Sequence, residues 1–68
     1  MTLTIELDRE TDGRWIAEVM EIPGCLAYGN SEQEAVGAVE ALALRVIADR
    51  IEHGEASRDL LSLAFVAA

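Results

Sequence analysis

The sequence predicts an α+β domain of order β-β-β-α-β: a three-stranded antiparallel sheet, a C-terminal strand, and one helix packed on one face. Three observations lead to this prediction. Residues 2–8 alternate polar and apolar side chains, Ser31 opens a segment with apolar residues at helical spacing, and residues 60–68 form a nearly continuous apolar run of strand length. At 68 residues the chain has the size of one domain, which we assign to residues 1–68.

The first two strands are expected to form a hairpin. Alternation points Leu3, Ile5 and Leu7 inward, toward a core. The segment 9–14 contains the pair Asp12-Gly13, and because glycine tolerates a positive φ this pair favours a hairpin loop. The second strand then begins at Arg14 or Trp15.

The second strand, over residues 15–22, carries apolar side chains on both of its faces. Trp15, Ala17 and Val19 share one face, which we expect to lie under the helix. The opposite face would have no helix to cover it, so we predict that it is a partner or oligomer interface. The residues assigned to that interface are Ile16, Glu18, Met20 and Ile22.

Turn residues separate the remaining elements. Pro23 and Gly24 end the second strand, and Gly29 ends a short third strand over residues 25–28. Ser31 and Glu34 form a capping box, in which the Ser31 hydroxyl accepts from the Glu34 amide and the Glu34 carboxylate reaches back to the Ser31 amide.

The helix should bury one apolar stripe and end near residue 53. The stripe consists of Val36, Val39, Ala43, Val46 or Ile47, and Arg50 or Ile51. Gly54 suits the left-handed position just after a helix, and a polar segment over residues 55–59 follows it. The last strand, over residues 60–68, is expected to return parallel to the first strand at an edge of the sheet.

The charge balance predicts a basic protein partner. Thirteen acidic residues against five arginines give a net charge of −8 and a pI near 4.3, which disfavours direct binding of nucleic acid. An apolar share of 51% in so small a chain favours a folded homo-oligomer, a dimer or larger. The chain has neither a membrane-span pattern nor a signal-peptide pattern, and its single cysteine cannot form an internal disulfide, so we expect a cytoplasmic location.

No catalytic, cofactor or metal site is predicted, and the protein is expected not to be an enzyme. Cys25 and His53 could pair as nucleophile and base, but no third residue orients them, and no spacing matches a zinc site. Asp8, Glu10 and Asp12 cluster around the hairpin loop, where solvated charge is the simpler explanation. Metal-dependent RNA cleavage, abolished by Asp8→Asn or Asp12→Asn, would be the sign of an enzyme.

The order of motifs resembles the N-terminal domain of the HicB-like antitoxins. The matching residues are Asp12-Gly13, Trp15-Ile16-Ala17-Glu18-Val19, Glu21-Ile22-Pro23-Gly24-Cys25, Gly29-Asn30-Ser31 and Glu34-Ala35. In that family the phrase runs roughly "dGgyvAevPelPGcvsqGdTleEAl", and the likeness covers essentially the whole chain. The sequence departs from it at Met20, where the family usually has proline.

The resemblance implies a truncated ribonuclease-H-like fold without that superfamily's catalytic acids. It also implies a non-enzymatic antitoxin module that binds and neutralises a small basic HicA-type toxin, which cleaves mRNA. Most such antitoxins continue into a DNA-binding domain, which is not expected here because the sequence stops at Ala68. The alternative is a solitary homo-oligomeric relative with an unrelated regulatory or structural role.

Overall fold

A computed structural model describes residues 1–55 and 58–68 and confirms the α+β class with one helix and a four-stranded mixed sheet. The elements are β1 (Thr2–Arg9), β2 (Trp15–Val19), β3 (Leu26–Gly29), α1 (Glu32–Glu52), a 3₁₀ turn (Arg58–Leu61) and β4 (Ala64–Ala67).

The strand order across the sheet is β3-β2-β1-β4. β1 pairs antiparallel with β2, β2 pairs antiparallel with β3, and β4 lies parallel to β1. The prediction that the last strand returns parallel to the first, at an edge of the sheet, is therefore confirmed. β1 is an interior strand, and β3 and β4 are the two edges.

The β1–β2 hairpin closes as the Asp-Gly pair predicts. Gly13 has a φ of +92°, and its amide donates to the Glu10 carbonyl at 3.0 Å. The Glu10 amide donates to the Arg14 carbonyl at 2.7 Å, and β2 begins at Trp15. Glycine suits this turn because L side chains rarely adopt a positive φ.

Both ends of α1 are capped, and one of the two predicted capping-box bonds is found at the N-terminus. The Ser31 hydroxyl accepts from the Glu34 amide at 3.1 Å. At the other end Gly54 has a φ of +74° and donates to the Ile51 carbonyl, while Glu55 donates to the Arg50 carbonyl. This pair of bonds is a Schellman motif, which satisfies carbonyls that the helix leaves unpaired.

The buried line of α1 differs in part from the predicted stripe. Residues at a spacing of four are buried against the sheet: Ala35, Val39, Ala43 and Ile47. Val36 and Val46 are half-buried beside that line, and Ile51 is exposed. The stripe was wrong at its first position because the helix approaches the sheet so closely there that it buries the small Ala35.

Gly29 is the point of closest approach between sheet and helix. A Cβ atom added at Gly29 would lie 2.4 Å from the Ala35 backbone nitrogen. This glycine is therefore required by packing, in addition to ending β3.

The C-terminal apolar run does not form one strand. Residues Arg58–Leu61 form a 3₁₀ turn, and only Ala64–Ala67 pair with β1. Periodicity alone cannot distinguish a short apolar helical turn from a buried strand, so the predicted strand over 60–68 was too long. Two residues of the predicted polar segment 55–59, Ala56 and Ser57, lie outside the described residues.

The Ser31 N-cap is expected to contribute to the free energy of unfolding. Ser31→Ala removes the acceptor for the Glu34 amide and should lower the free energy of unfolding by about 1 kcal/mol, measured by urea denaturation. Ser31→Asp keeps an acceptor at this position and should retain most of the stability. Equal stability of Ser31→Ala and the wild type would contradict a capping role.

Candidate interaction surface

The sheet has a face that α1 does not cover, which we call the open face. Residues on β1 at even positions, from Thr2 to Asp8, lie on this face because the odd positions Leu3 and Ile5 are buried under the helix. The register then places Ile16 and Glu18 of β2 beside Asp8 and Glu6. The open face therefore carries both apolar and acidic side chains.

An apolar strip runs along β2 and β3 on the open face. Ile16 pairs with Tyr28, and Glu18 pairs with Leu26, so these side chains share one side of the sheet. Tyr28 is 46% exposed and Leu26 is 38% exposed. Met20 continues the alternation beyond Glu18 and is 50% exposed. Large apolar side chains at this exposure are typical of a surface that contacts another molecule.

Carboxylates of β1 border the apolar strip, and one carboxylate of β2 lies within it. Glu6 and Glu18 are direct partners across the β1–β2 ladder, and Asp8 lies opposite Ile16. Like charges directly opposite each other in a sheet destabilise it. A cationic group placed between them would relieve this repulsion.

The hairpin end of the open face is ordered by an arginine. The Arg14 guanidinium lies over the Tyr28 ring, 4.6 Å from its centroid. Its Nε also donates to the Asp12 carboxylate at 2.8 Å. The hydrogen bond from the Arg14 amide to the same carboxylate, together with this side-chain bond, lowers the pKa of Asp12. The cation–π contact and the ion pair together hold Tyr28 and Asp12 at one end of the strip.

At the other end of the strip, the Glu21 carboxylate accepts the hydrogen bond of the Thr4 amide in place of a backbone carbonyl of β2. The Thr4 carbonyl accepts from the Met20 amide at 3.0 Å, which continues the β1–β2 pairing by one residue. The Thr4 amide and hydroxyl both donate to Glu21, at 2.6 and 2.7 Å. These two bonds lower the pKa of the Glu21 carboxyl.

The Glu21 contact predicts a pH dependence of folding stability. Because the pKa of Glu21 is lower in the folded state than in the unfolded chain, its contribution is fully present at neutral pH. That contribution is lost progressively as the pH falls from the usual pKa of glutamate, about 4.3, through the lower pKa of the folded state. Glu21→Gln should flatten the fall in stability over this range in urea titrations, and an unchanged pH profile would contradict the assignment.

The open face includes three of the four predicted interface residues. Ile16, Glu18 and Met20 lie there, but Ile22 is only 4% exposed and belongs to the core. β2 ends at Val19, and the Ile22 amide donates to the Val19 carbonyl at 3.2 Å in the turn that follows. Strand alternation therefore cannot be extended to residue 22.

Pro23 and Gly24 lie in the predicted turn between β2 and β3, but β3 begins at Leu26 rather than at Cys25. The Cys25 thiol is buried beside Ile22 in the core, and burial raises its pKa. The predicted interface did not include Tyr28, Leu26, Glu6 or Asp8. Alternation along β1 places Glu6 and Asp8 on the open face, whereas the register of β3 against β2 is needed to place Leu26 and Tyr28 there.

The residues considered in the sequence for catalysis or metal binding lie in different environments and do not form a common site. Cys25 is inside the core, whereas the exposed His53 ring lies at the C-terminus of α1, 2.8 Å from the Asp49 carbonyl. Asp12 is paired with Arg14, and Asp8 accepts from the Arg9 amide at 2.8 Å. Within residues 1–55 and 58–68, no three His, Cys, Asp or Glu side chains are grouped to hold a metal ion.

The fold and the open face define a small α+β domain with a helix on one side of its sheet and an acidic-apolar surface on the other. Comparison with known protein families, curated proteins and solved structures finds no match to this chain. In the described part of the chain, no helix has the length and apolar character needed to cross a membrane.

Proposed function

We propose that this protein is a non-enzymatic binding module of the HicB-like type, which uses its open face to bind and neutralise a small basic ribonuclease toxin. The observation that carries the proposal is the apolar strip bordered by the facing carboxylates Glu6 and Glu18. An apolar centre with charged neighbours is the usual composition of a protein–protein interface. The resemblance of the motif order to HicB-like antitoxins supplies the class of partner.

The net charge of −8 supports the same partner class. Complementary charge accelerates the encounter between an acidic and a basic protein, and the acceleration falls as salt screens it. The acidic surface also disfavours direct contact with nucleic acid, so the proposed inhibition acts on the toxin and not on its RNA. The proposal includes the truncated ribonuclease-H-like relationship and a cytoplasmic location, where a lone reduced cysteine is ordinary.

The experiment is co-purification with the small basic protein encoded by the adjacent gene, followed by a salt titration of the binding. We expect a complex that weakens as the salt concentration rises and that suppresses RNA cleavage by the partner. The absence of binding to any neighbouring gene product would contradict the proposal. Cleavage of RNA by the purified protein alone would favour the enzyme alternative.

Charge reversal on the open face tests the surface itself. Glu18→Arg should weaken binding about tenfold or more, because it places a cation against the basic partner. It should not destabilise the free protein, since residue 18 would then face Glu6 with opposite charge.

The matched control for Glu18→Arg is Glu52→Arg, which makes the same change in net charge at an exposed position at the end of α1. We expect the control to keep the affinity within about twofold of the wild type, apart from the small effect of net charge. Equal weakening by both variants would mean that net charge alone, and not the open face, determines binding.

A further inference from the structure

In the described part of the chain, no strand pairs with the outer edge of β4, which we call the β4 edge. The amides of Ala64 and Ala68 donate to the Met1 and Ile5 carbonyls of the neighbouring chain segment, both at 2.9 Å. Because backbone groups alternate in direction along a strand, the amides and carbonyls of Phe65 and Ala67 point away from β1, toward the outside of the sheet. These groups form a short row of donors and acceptors that can pair with another strand.

The β4 edge lacks the charged side chains and prolines that often prevent pairing between molecules. Residues 60–68 contain no ionisable side chain and no proline. Natural sheets protect their edges with charges, prolines, bulges or a covering element. The opposite edge strand, β3, also has four residues, and its last residue, Gly29, is buried against the first turn of α1.

Apolar side chains lie on both sides of the β4 edge. Val66 is 43% exposed, and Leu61, in the 3₁₀ turn before β4, is 89% exposed. On the helix side, a groove of about 170 Å³ is lined by Leu7, Val36 and Phe65 among others. Only ten apolar residues are buried among those described, in a chain that is 51% apolar.

We propose that the β4 edge is a homodimer surface, on which β4 of a second copy pairs antiparallel across a two-fold axis. The two four-stranded sheets would then form one continuous sheet, and the apolar side chains flanking β4 would be buried between the copies. Antiparallel pairing of a strand with itself is self-complementary, as a two-fold interface requires.

The distribution of charge favours a second copy at this edge rather than at the open face. Two chains of net charge −8 repel each other, and residues 60–68 add no ionisable side chain to the contact, although Glu40 is among the residues that line the adjoining groove. A two-fold contact through the open face would instead bring the facing Glu6 and Glu18 of one copy close to those of the other. The proposal is independent of the proposed toxin binding, which uses the open face.

The two surfaces should respond to salt in opposite ways. Salt screens the repulsion between two acidic copies, so homodimerisation through the β4 edge should become tighter as the salt concentration rises. Binding of a basic partner at the open face should become weaker over the same range.

The experiment is sedimentation equilibrium of the full chain from about 10 μM to about 1 mM, a range over which a dimer reports its dissociation. Ala67→Pro removes one outward amide per copy and leaves the ladder to β1 intact, because proline is tolerated at strand edges whose amide faces outward. We expect this variant to weaken dimerisation about tenfold or more while the circular dichroism stays native. Met20→Asp, on the open face, is the matched control and should still form the dimer.

A wild type that is monomeric at the highest concentration would overturn the proposal. So would an Ala67→Pro variant that dimerises like the wild type, or a Met20→Asp variant that is monomeric while Ala67→Pro still dimerises. If Ala67→Pro fails to fold, hydrogen exchange of the wild type decides instead. We then expect the Phe65 and Ala67 amides to become more protected as the protein concentration rises. Exchange rates of these two amides that do not depend on concentration would overturn the proposal.

Discussion

Gly29→Ala is expected to remove most of the folding stability of the chain. The added Cβ would lie 2.4 Å from the Ala35 nitrogen and 2.9 Å from the Ala35 Cα. Both are backbone atoms in the first turn of α1, so no side-chain rotation can relieve the overlap. Either the helix moves away from β3, or β3 separates from β2.

The expected loss exceeds about 3 kcal/mol, the upper part of the range for overpacking a close contact. A small domain has a total stability near the low end of about 5–15 kcal/mol, so such a loss removes most of it. Circular dichroism and urea denaturation measure the effect.

Gly37→Ala is the matched control for this prediction. Gly37 lies within α1, and a Cβ there meets nothing within 4 Å. Alanine is favoured over glycine in a helix by about 1 kcal/mol, so this variant should be more stable than the wild type. If Gly29→Ala and Gly37→Ala changed stability in the same direction, the close packing of α1 on β3 would be contradicted.

Local signals in the sequence were sufficient to predict the elements and their order. The Asp12-Gly13 pair, the Ser31 cap and Gly54 each act through contacts within a few residues. The turn and the helix end are found as predicted, and the Ser31 cap is found with one of its two predicted bonds. The parallel return of β4 beside β1 follows from general rules of chain connection and is also found.

Features that depend on packing distance were not predicted. The sequence assigned Gly29 to a turn, because nothing in the pattern shows how closely a helix will approach a strand. The same approach explains why the small Ala35 is buried while the larger Val36 lies at the flank of the helix. A hydrophobic stripe is predicted from side-chain size and polarity, and a very close contact selects for small size instead.

The open face was predicted only as far as strand alternation holds. Ile16 and Glu18 lie within β2, and Met20 follows the alternation because its amide still bonds to β1. Ile22 comes after the chain has turned, so the rule no longer applies to it. Leu26 and Tyr28 required the register of β3 against β2, which a four-residue strand does not reveal by itself.

Leu3→Ala is expected to be the most destabilising of the simple truncations in the core of the sheet. Leu3 has no exposed surface, and it lies on β1, which pairs with β2 on one side and β4 on the other. Its register partner in β4 is Phe65, so the cavity would open at the junction between the helix-covered half of the sheet and the β4 edge.

We expect Leu3→Ala to cost about 2–5 kcal/mol, because truncation of a buried leucine loses both transfer free energy and packing contacts. The control is Leu61→Ala, the same chemical change at a residue that is 89% exposed, which should alter stability by no more than about 0.5 kcal/mol. Both variants are measured by urea denaturation at low micromolar concentration, so that self-association contributes little to either value. Similar losses for the two variants would contradict the placement of Leu3 in the core and of Leu61 outside it.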